Sequence, residues 1–126
     1  MPTVETRGRP LVVERRSFYR LVRREEPTTS DFESNAARGI PLRDPAYLDE
    51  HQGVSAWGTI AQAKKRSMAR PGQRYFVAEL DLPNDGSIRF ARTFPTQGGH
   101  HTIWASPGIL LGLVVRVHVF RKALRG

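Results

Sequence analysis

Residues 74–93 read RYFVAELDLPNDGSIRFART. More than any other stretch, they set the class of fold. Tyr75, Phe76 and Val77 suit a pleated, half-buried surface, so 74–82 is expected to be a strand. The tetrapeptide PNDG (83–86) puts a proline ahead of an Asp-Gly pair, the chemistry of a hairpin-type turn. In SIRFART (87–93), Ile88 and Phe90 fall on one face and Arg89 on the other, so a further strand follows the turn.

Working outward, the same pattern recurs on both sides. FYRLV (18–22) and GVSAW (53–57) read as strands on their aromatic and branched residues. HHTIW (100–104) is a fifth strand and LVVRVHVF (113–120) a sixth. In the last, Leu113, Val115, Val117 and Val119 alternate with Val114, Arg116, His118 and Phe120. Helical signals are fewer. PTTSDFESNAARG (27–39) has Ser30 and Glu33 at capping-box spacing and Gly39 as a stop. TIAQAKKRSMARPG (59–72) opens on Thr59 and Gln62 at the same spacing and ends at Pro71-Gly72. SPGILLG (106–112) offers Ser106 as N-cap, Pro107 at the first helical position and Gly112 as the end of a turn or two. The expected class is therefore α+β: a mostly antiparallel, split β-sheet of about six strands with two or three short helices in a single domain. Residues 1–16 are expected to form a flexible arm, 17–120 the domain and 121–126 a basic tail.

The chain has 126 residues, enough for one domain with one real core. It contains no cysteine, which removes disulfides, thiolate metal sites and cysteine nucleophiles. No apolar run approaches the roughly 18 residues of a membrane span, and MPTVETRGRP lacks a signal peptide's apolar centre. A cytoplasmic location with no membrane partner is the default expectation.

The net charge is +8, and it is unevenly spread. All 12 acids lie between Glu5 and Asp85. From Ser87 onward the charged residues are Arg89, Arg92, Arg116, Arg121, Lys122 and Arg125. Such a field attracts an anionic ligand such as NAD or RNA, or an acidic protein.

Four groups are candidates for chemistry. His100 and His101 are adjacent; on a strand they point to opposite faces, but from a loop both can line a cleft. Either can act as acid, base or phosphate donor, whereas no surrounding ligand set makes them a metal site. Arg20 stands mid-strand beside Tyr19. There it either pairs with an acid such as Glu79 or opens into a cleft and grips an anion through its planar fork. Ser55 and Trp57 can present a hydroxyl and an aromatic wall to a flat ring. Lys64, Lys65, Arg66 and Arg70 read as a solvated helix face.

The order of these pieces, with FYRLV first, GVSAW later, a helix after it and strands to the end, resembles the compact ADP-ribosyltransferase-like fold. That fold is shared by small bacterial toxins and RES-domain NAD-degrading toxins. PTTSDFES, GVSAW, VAELDLP and GHHTIW also look like blocks of small actinobacterial proteins, a resemblance that carries no function. The first resemblance implies NAD as the bound cofactor, with Arg20 on its diphosphate or adjoining ribose. It also implies that Ser55 braces that arginine, that Tyr19 and Trp57 lie beside the ligand, and that His100 or His101 touches ribose. The family's late-strand glutamate has no counterpart here, since no acid follows Asp85; Glu33, Glu79 or a histidine is expected in its place. The implied function is a toxin-type transferase acting on the nicotinamide glycosidic bond, with an acidic antitoxin or immunity protein as a possible partner. Two alternatives stay open. One is a metal-independent ribonuclease using His100, His101, Arg92 and Thr102. The other is a non-enzymatic basic module for nucleic acid or an acidic partner.

Overall fold

The computed structural model describes residues 14–124. Residues 1–13 of the expected arm and 125–126 of the expected tail lie outside the described residues. The strands are β1 (Arg15–Val22), β2 (Val54–Trp57), β3 (Arg74–Pro83), β4 (Arg89–Arg92), β5 (His100–Trp104) and β6 (Val114–Arg121). Three short helices accompany them: α1 (Leu48–His51), α2 (Ile60–Lys64) and α3 (Pro107–Gly112). The strands form one six-stranded sheet in the order β4-β5-β2-β1-β3-β6, and every pairing is antiparallel. The α+β class is the one the sequence points to.

The PNDG turn has the expected chemistry but not the expected neighbours. Gly86 takes a φ of 87°, and the Asp85 carboxylate accepts from both Ser87 N (2.9 Å) and Ser87 Oγ (2.6 Å). The chain then leaves β3 and becomes the opposite edge of the sheet. The reason is competition for hydrogen bonds. β1 and β6 already occupy the two sides of β3 along most of its length, so β4 has no free ladder there.

Two apolar clusters cover the two faces. On one, Phe18, Ala78, Leu80, Leu82 and Ile103 pack with Phe32 and Leu110, the latter two supplied by a 3-10 turn (Thr29–Phe32) and by α3. On the other, Trp57 and Val77 pack with Ala63 of α2. Each large side chain removed from water contributes about 1.5–3 kcal/mol, so the sheet centre is what holds the fold. Helix α2 begins at the predicted cap: Thr59 Oγ1 accepts from Gln62 N at 3.2 Å, and Gln62 Oε1 from Thr59 N at 3.1 Å. No helix among the described residues is long and apolar enough to cross a membrane.

Three local expectations are corrected. The helix expected over 27–39 is only the 3-10 turn Thr29–Phe32. Asp31, not Glu33, turns back, and its carboxylate accepts from Thr28 N and Arg23 N at 2.9 and 3.0 Å. Helix α2 ends at Lys64, well before Arg70, where Ser67 Oγ takes Ala69 N at 3.1 Å and turns the backbone away from a helix. In β6 the alternation breaks. Glu79 faces Arg116 while Leu80 faces Val114, so Val115 is an extra residue and is half exposed.

Candidate functional site

β1 and β2 are paired at a single position, Tyr19 opposite Trp57. Past it the two strands part, and Arg20 is the first residue of β1 beside the opening. Its guanidinium reaches across: Nη1 donates to the Ser55 carbonyl at 2.6 Å, and Nε donates to the Asp31 carbonyl at 2.8 Å. Burial lowers its pKa to about 10; the Asp31 charge resists this and the Arg38 charge adds to it. It remains a cation at neutral pH. Among the described residues no carboxylate comes within ion-pair distance of it. Asp31, its nearest acid by charge, spends its own oxygens on Thr28 and Arg23.

In front of Arg20 lies a cleft of about 510 Å³. Arg20, Val54 and Ser55 form its strand side. Glu33, Asn35 and residues 40–44 line it from the connection between β1 and α1. Tyr47, Glu50 and His51 come from α1 and the turn before it, and Phe94 from the β4–β5 loop. A volume of this size suits a ligand on the scale of a nucleotide. Glu50 Oε2 is buried with no hydrogen-bond partner, which leaves an orphaned acceptor in the wall. Phe94 holds a φ of 49°, an uncommon conformation for a bulky residue, and its ring lies 5.0 Å from those of both Tyr47 and His100.

Ser55 does more than brace Arg20 through its carbonyl. Its Oγ lies 2.9 Å from His100 Nε2. His100 Nδ1 lies 2.9 Å from Thr93 Oγ1, which is 2.7 Å from Thr102 Oγ1. The result is an unbroken chain of side chains, Ser55–His100–Thr93–Thr102. His100 is only 3 % exposed. Burial foremost, and then its positive neighbours, hold its pKa below the ordinary histidine value against a hydrogen bond at Thr93. The imidazole is therefore neutral at pH 7, with one ring nitrogen an acceptor.

The residues named from sequence divide clearly. Arg20, Ser55 and Glu33 share the cleft, and His100 touches it through Ser55. His101 is turned to the opposite face by strand alternation. There Nδ1 donates to the Gly99 carbonyl at 2.9 Å, and the ring packs 4.9 Å from Phe18. The histidine pair therefore does not line one cleft together. Tyr19 and Trp57 do not line the cleft: both belong to the second apolar cluster, and Trp57 Nε1 is buried without a partner. The flat ring-facing wall falls to Tyr47 and Phe94 instead. Glu79 neither pairs with Arg20 nor enters the cleft; it accepts from His118 Nε2 at 2.8 Å and lies 3.7 Å from Arg116. Tyr47, Glu50, His51 and Phe94 were not found by sequence reasoning. Their one signal was a place in loops rich in Pro and Gly, where binding groups are commonly carried.

The basic side chains are spread widely. Arg89 pairs with Asp49 and lies over the Trp104 ring at 3.8 Å. Lys64 sits 4.2 Å above the Phe120 ring, on the far face from Arg20. Compared with family models, curated proteins and solved structures, the chain matches none of them.

Proposed function

We propose that the cleft binds NAD and that the protein is an ADP-ribosyltransferase-like enzyme of toxin type, acting on the bond between nicotinamide and ribose. The observation that carries this is Arg20. It is a half-buried cation fixed by two carbonyl oxygens, with a nucleotide-sized cleft in front of it. A guanidinium offers five N–H donors in a planar fork, and the two carbonyls take only part of them. A diphosphate supplies both the charge and the acceptors that such a group lacks.

The remaining lining suits the rest of the substrate. Tyr47 and Phe94 offer a face to a flat ring. Breaking the glycosidic bond sends its electron pair onto nicotinamide, which leaves neutral, and places positive charge on the ribose carbon. A carboxylate beside that carbon stabilises it most where water is excluded. Glu50, in the cleft wall with one buried and unpartnered oxygen, fits that role best, with Glu33 in the same wall. Water then adds and releases a proton to give ADP-ribose, or an acceptor hydroxyl takes its place. The exposed Arg116 and Arg121 of edge strand β6 offer an acidic antitoxin or immunity protein a basic edge, with Arg92 on the opposite edge strand. A cysteine-free enzyme spending NAD suits the cytoplasm. The ribonuclease alternative has less support, because His100 and His101 act on opposite faces.

The test is direct. The protein is mixed with NAD and released nicotinamide is followed by chromatography. Release is expected, and it is expected to fall about 10²-fold or more in Arg20→Gln and Glu50→Gln. Neither release nor binding of NAD by the wild-type chain removes the proposal.

A further inference from the structure

We propose that Ser55 is itself an acceptor, so that the ADP-ribosyl group is transferred to Ser55 Oγ while His100 takes the hydroxyl proton. This rests on the NAD reading and extends it to a covalent product on the chain.

A strand serine has no structural need of a histidine. Here Ser55 Oγ and His100 Nε2 lie 2.9 Å apart, and the imidazole is oriented from behind by Thr93, itself held at 2.7 Å by Thr102. Nucleophile, base and orienting group follow one another in the order that activates a hydroxyl. When Nδ1–H donates to Thr93, Nε2 is left to accept from Ser55, and burial keeps that ring neutral. The position is also suitable. The carbonyl of Ser55 is the one that Arg20 Nη1 grips, so a diphosphate on Arg20 lies next to this residue. Ser55 and Tyr47 are the hydroxyl-bearing residues of the cleft wall, and Ser55 is the one with an imidazole attached.

The step balances without a further reactant. The ribose carbon–nitrogen bond breaks and its electron pair leaves with nicotinamide. An oxygen lone pair of Ser55 forms the new carbon–oxygen bond, and the hydroxyl proton passes to His100 Nε2. The product is an O-glycoside of serine, with an acetal at the ribose carbon. Serine is a poor leaving group, so the modification is lasting and each event removes one cleft from use.

The experiment is intact-mass and fragment-mass spectrometry of the full chain after incubation with NAD, with nicotinamide release measured in the same samples. The expected result is a gain of one ADP-ribosyl group, mapped to Ser55, stable to neutral hydroxylamine and absent in Ser55→Ala. Its formation should slow about 10²-fold in His100→Gln. Thr93→Val, which leaves the imidazole in place but removes its support, should slow it less. Nicotinamide release with no mass gain overturns the inference and leaves the NAD reading standing. So does a gain that hydroxylamine removes, since that places the group on a carboxylate. No nicotinamide release overturns both.

Discussion

Arg20→Gln removes the cleft's buried charge while keeping a donor of similar reach. Burial pulls the Arg20 pKa down to about 10, so keeping that group charged costs the folded chain on the order of 3 kcal/mol. A phosphate oxygen about 4 Å from the guanidinium, at an effective dielectric constant near 20, returns about 4 kcal/mol. Anion binding therefore offsets what burial costs, and glutamine cannot take part. The expected loss is roughly 2–3 kcal/mol, or about 30–150-fold in the dissociation constant for ADP-ribose. Without ligand the two chains should be close in stability. The variant loses a charge-assisted bond to the Asp31 or Ser55 carbonyl, about 1.5–3 kcal/mol, but is relieved of the buried charge. Calorimetric titration at low salt reads the affinity, with Arg116→Gln on the far edge strand as the control. A glutamine variant that binds ADP-ribose within about threefold of the wild type refutes the assignment of Arg20.

Ile103→Ala empties the centre of the first cluster, where the side chain is 0 % exposed, and should cost about 2–5 kcal/mol by denaturant unfolding; a loss under 1 kcal/mol, on the order of a surface change, counts against that core. Gly53→Ala puts a methyl group against Thr102 Cγ2 and within about 3 Å of Trp104 Nε1 and the Ile103 carbonyl, so a loss of roughly 1–3 kcal/mol is expected, and an unchanged melting temperature would show that β2 and β5 are farther apart. Burial holds both His100 and His101 below the usual histidine pKa, so the unfolded chain takes up protons near pH 6.5 before the folded chain does. Stability should be level above about pH 6.5 and decline below it, and a denaturation midpoint that stays flat from about pH 8 to 5 contradicts this. Asp31 is also pushed up by burial, but the Thr28 and Arg23 donors outweigh that and leave it below the ordinary carboxylate value. Its contribution is therefore present above about pH 4 and lost in stronger acid, and Asp31→Asn should flatten the acid limb of the same curve.

Much of the architecture was legible because strands declare themselves over short distances. Tyr75 to Leu82, His100 to Trp104 and the Ser106–Pro107 start of α3 are each set by neighbours in the chain. What failed were choices between near-equal local partners. Asp31 outcompeted Glu33 for the turn, and the Val115 bulge cannot be seen without β3 beside it. The PNDG turn misled for a different reason: turn chemistry fixes a bend, whereas the neighbour depends on which ladders are already taken. The site was half legible. Arg20 and Ser55 stood out as polar groups in apolar strands, and they do share the cleft. The contact of Ser55 with His100 joins residues 45 positions apart through the β2–β5 ladder, and no spacing encodes it. Glu50, in the one-turn helix α1, and Phe94, in the β4–β5 loop, lie in stretches whose composition says only that the chain turns.

The lone bridge between Tyr19 and Trp57 makes the sheet two three-stranded slabs, β4-β5-β2 and β1-β3-β6, fastened at one point along their common border. Arg20 is the cross-stitch beside that fastening, and a molecule lodged against it lies over the same border. Occupancy then works as a rivet. The slabs resist sliding past one another only as firmly as the join between them, so filling the cleft should slow amide exchange in β1 and β2 well beyond the residues it touches.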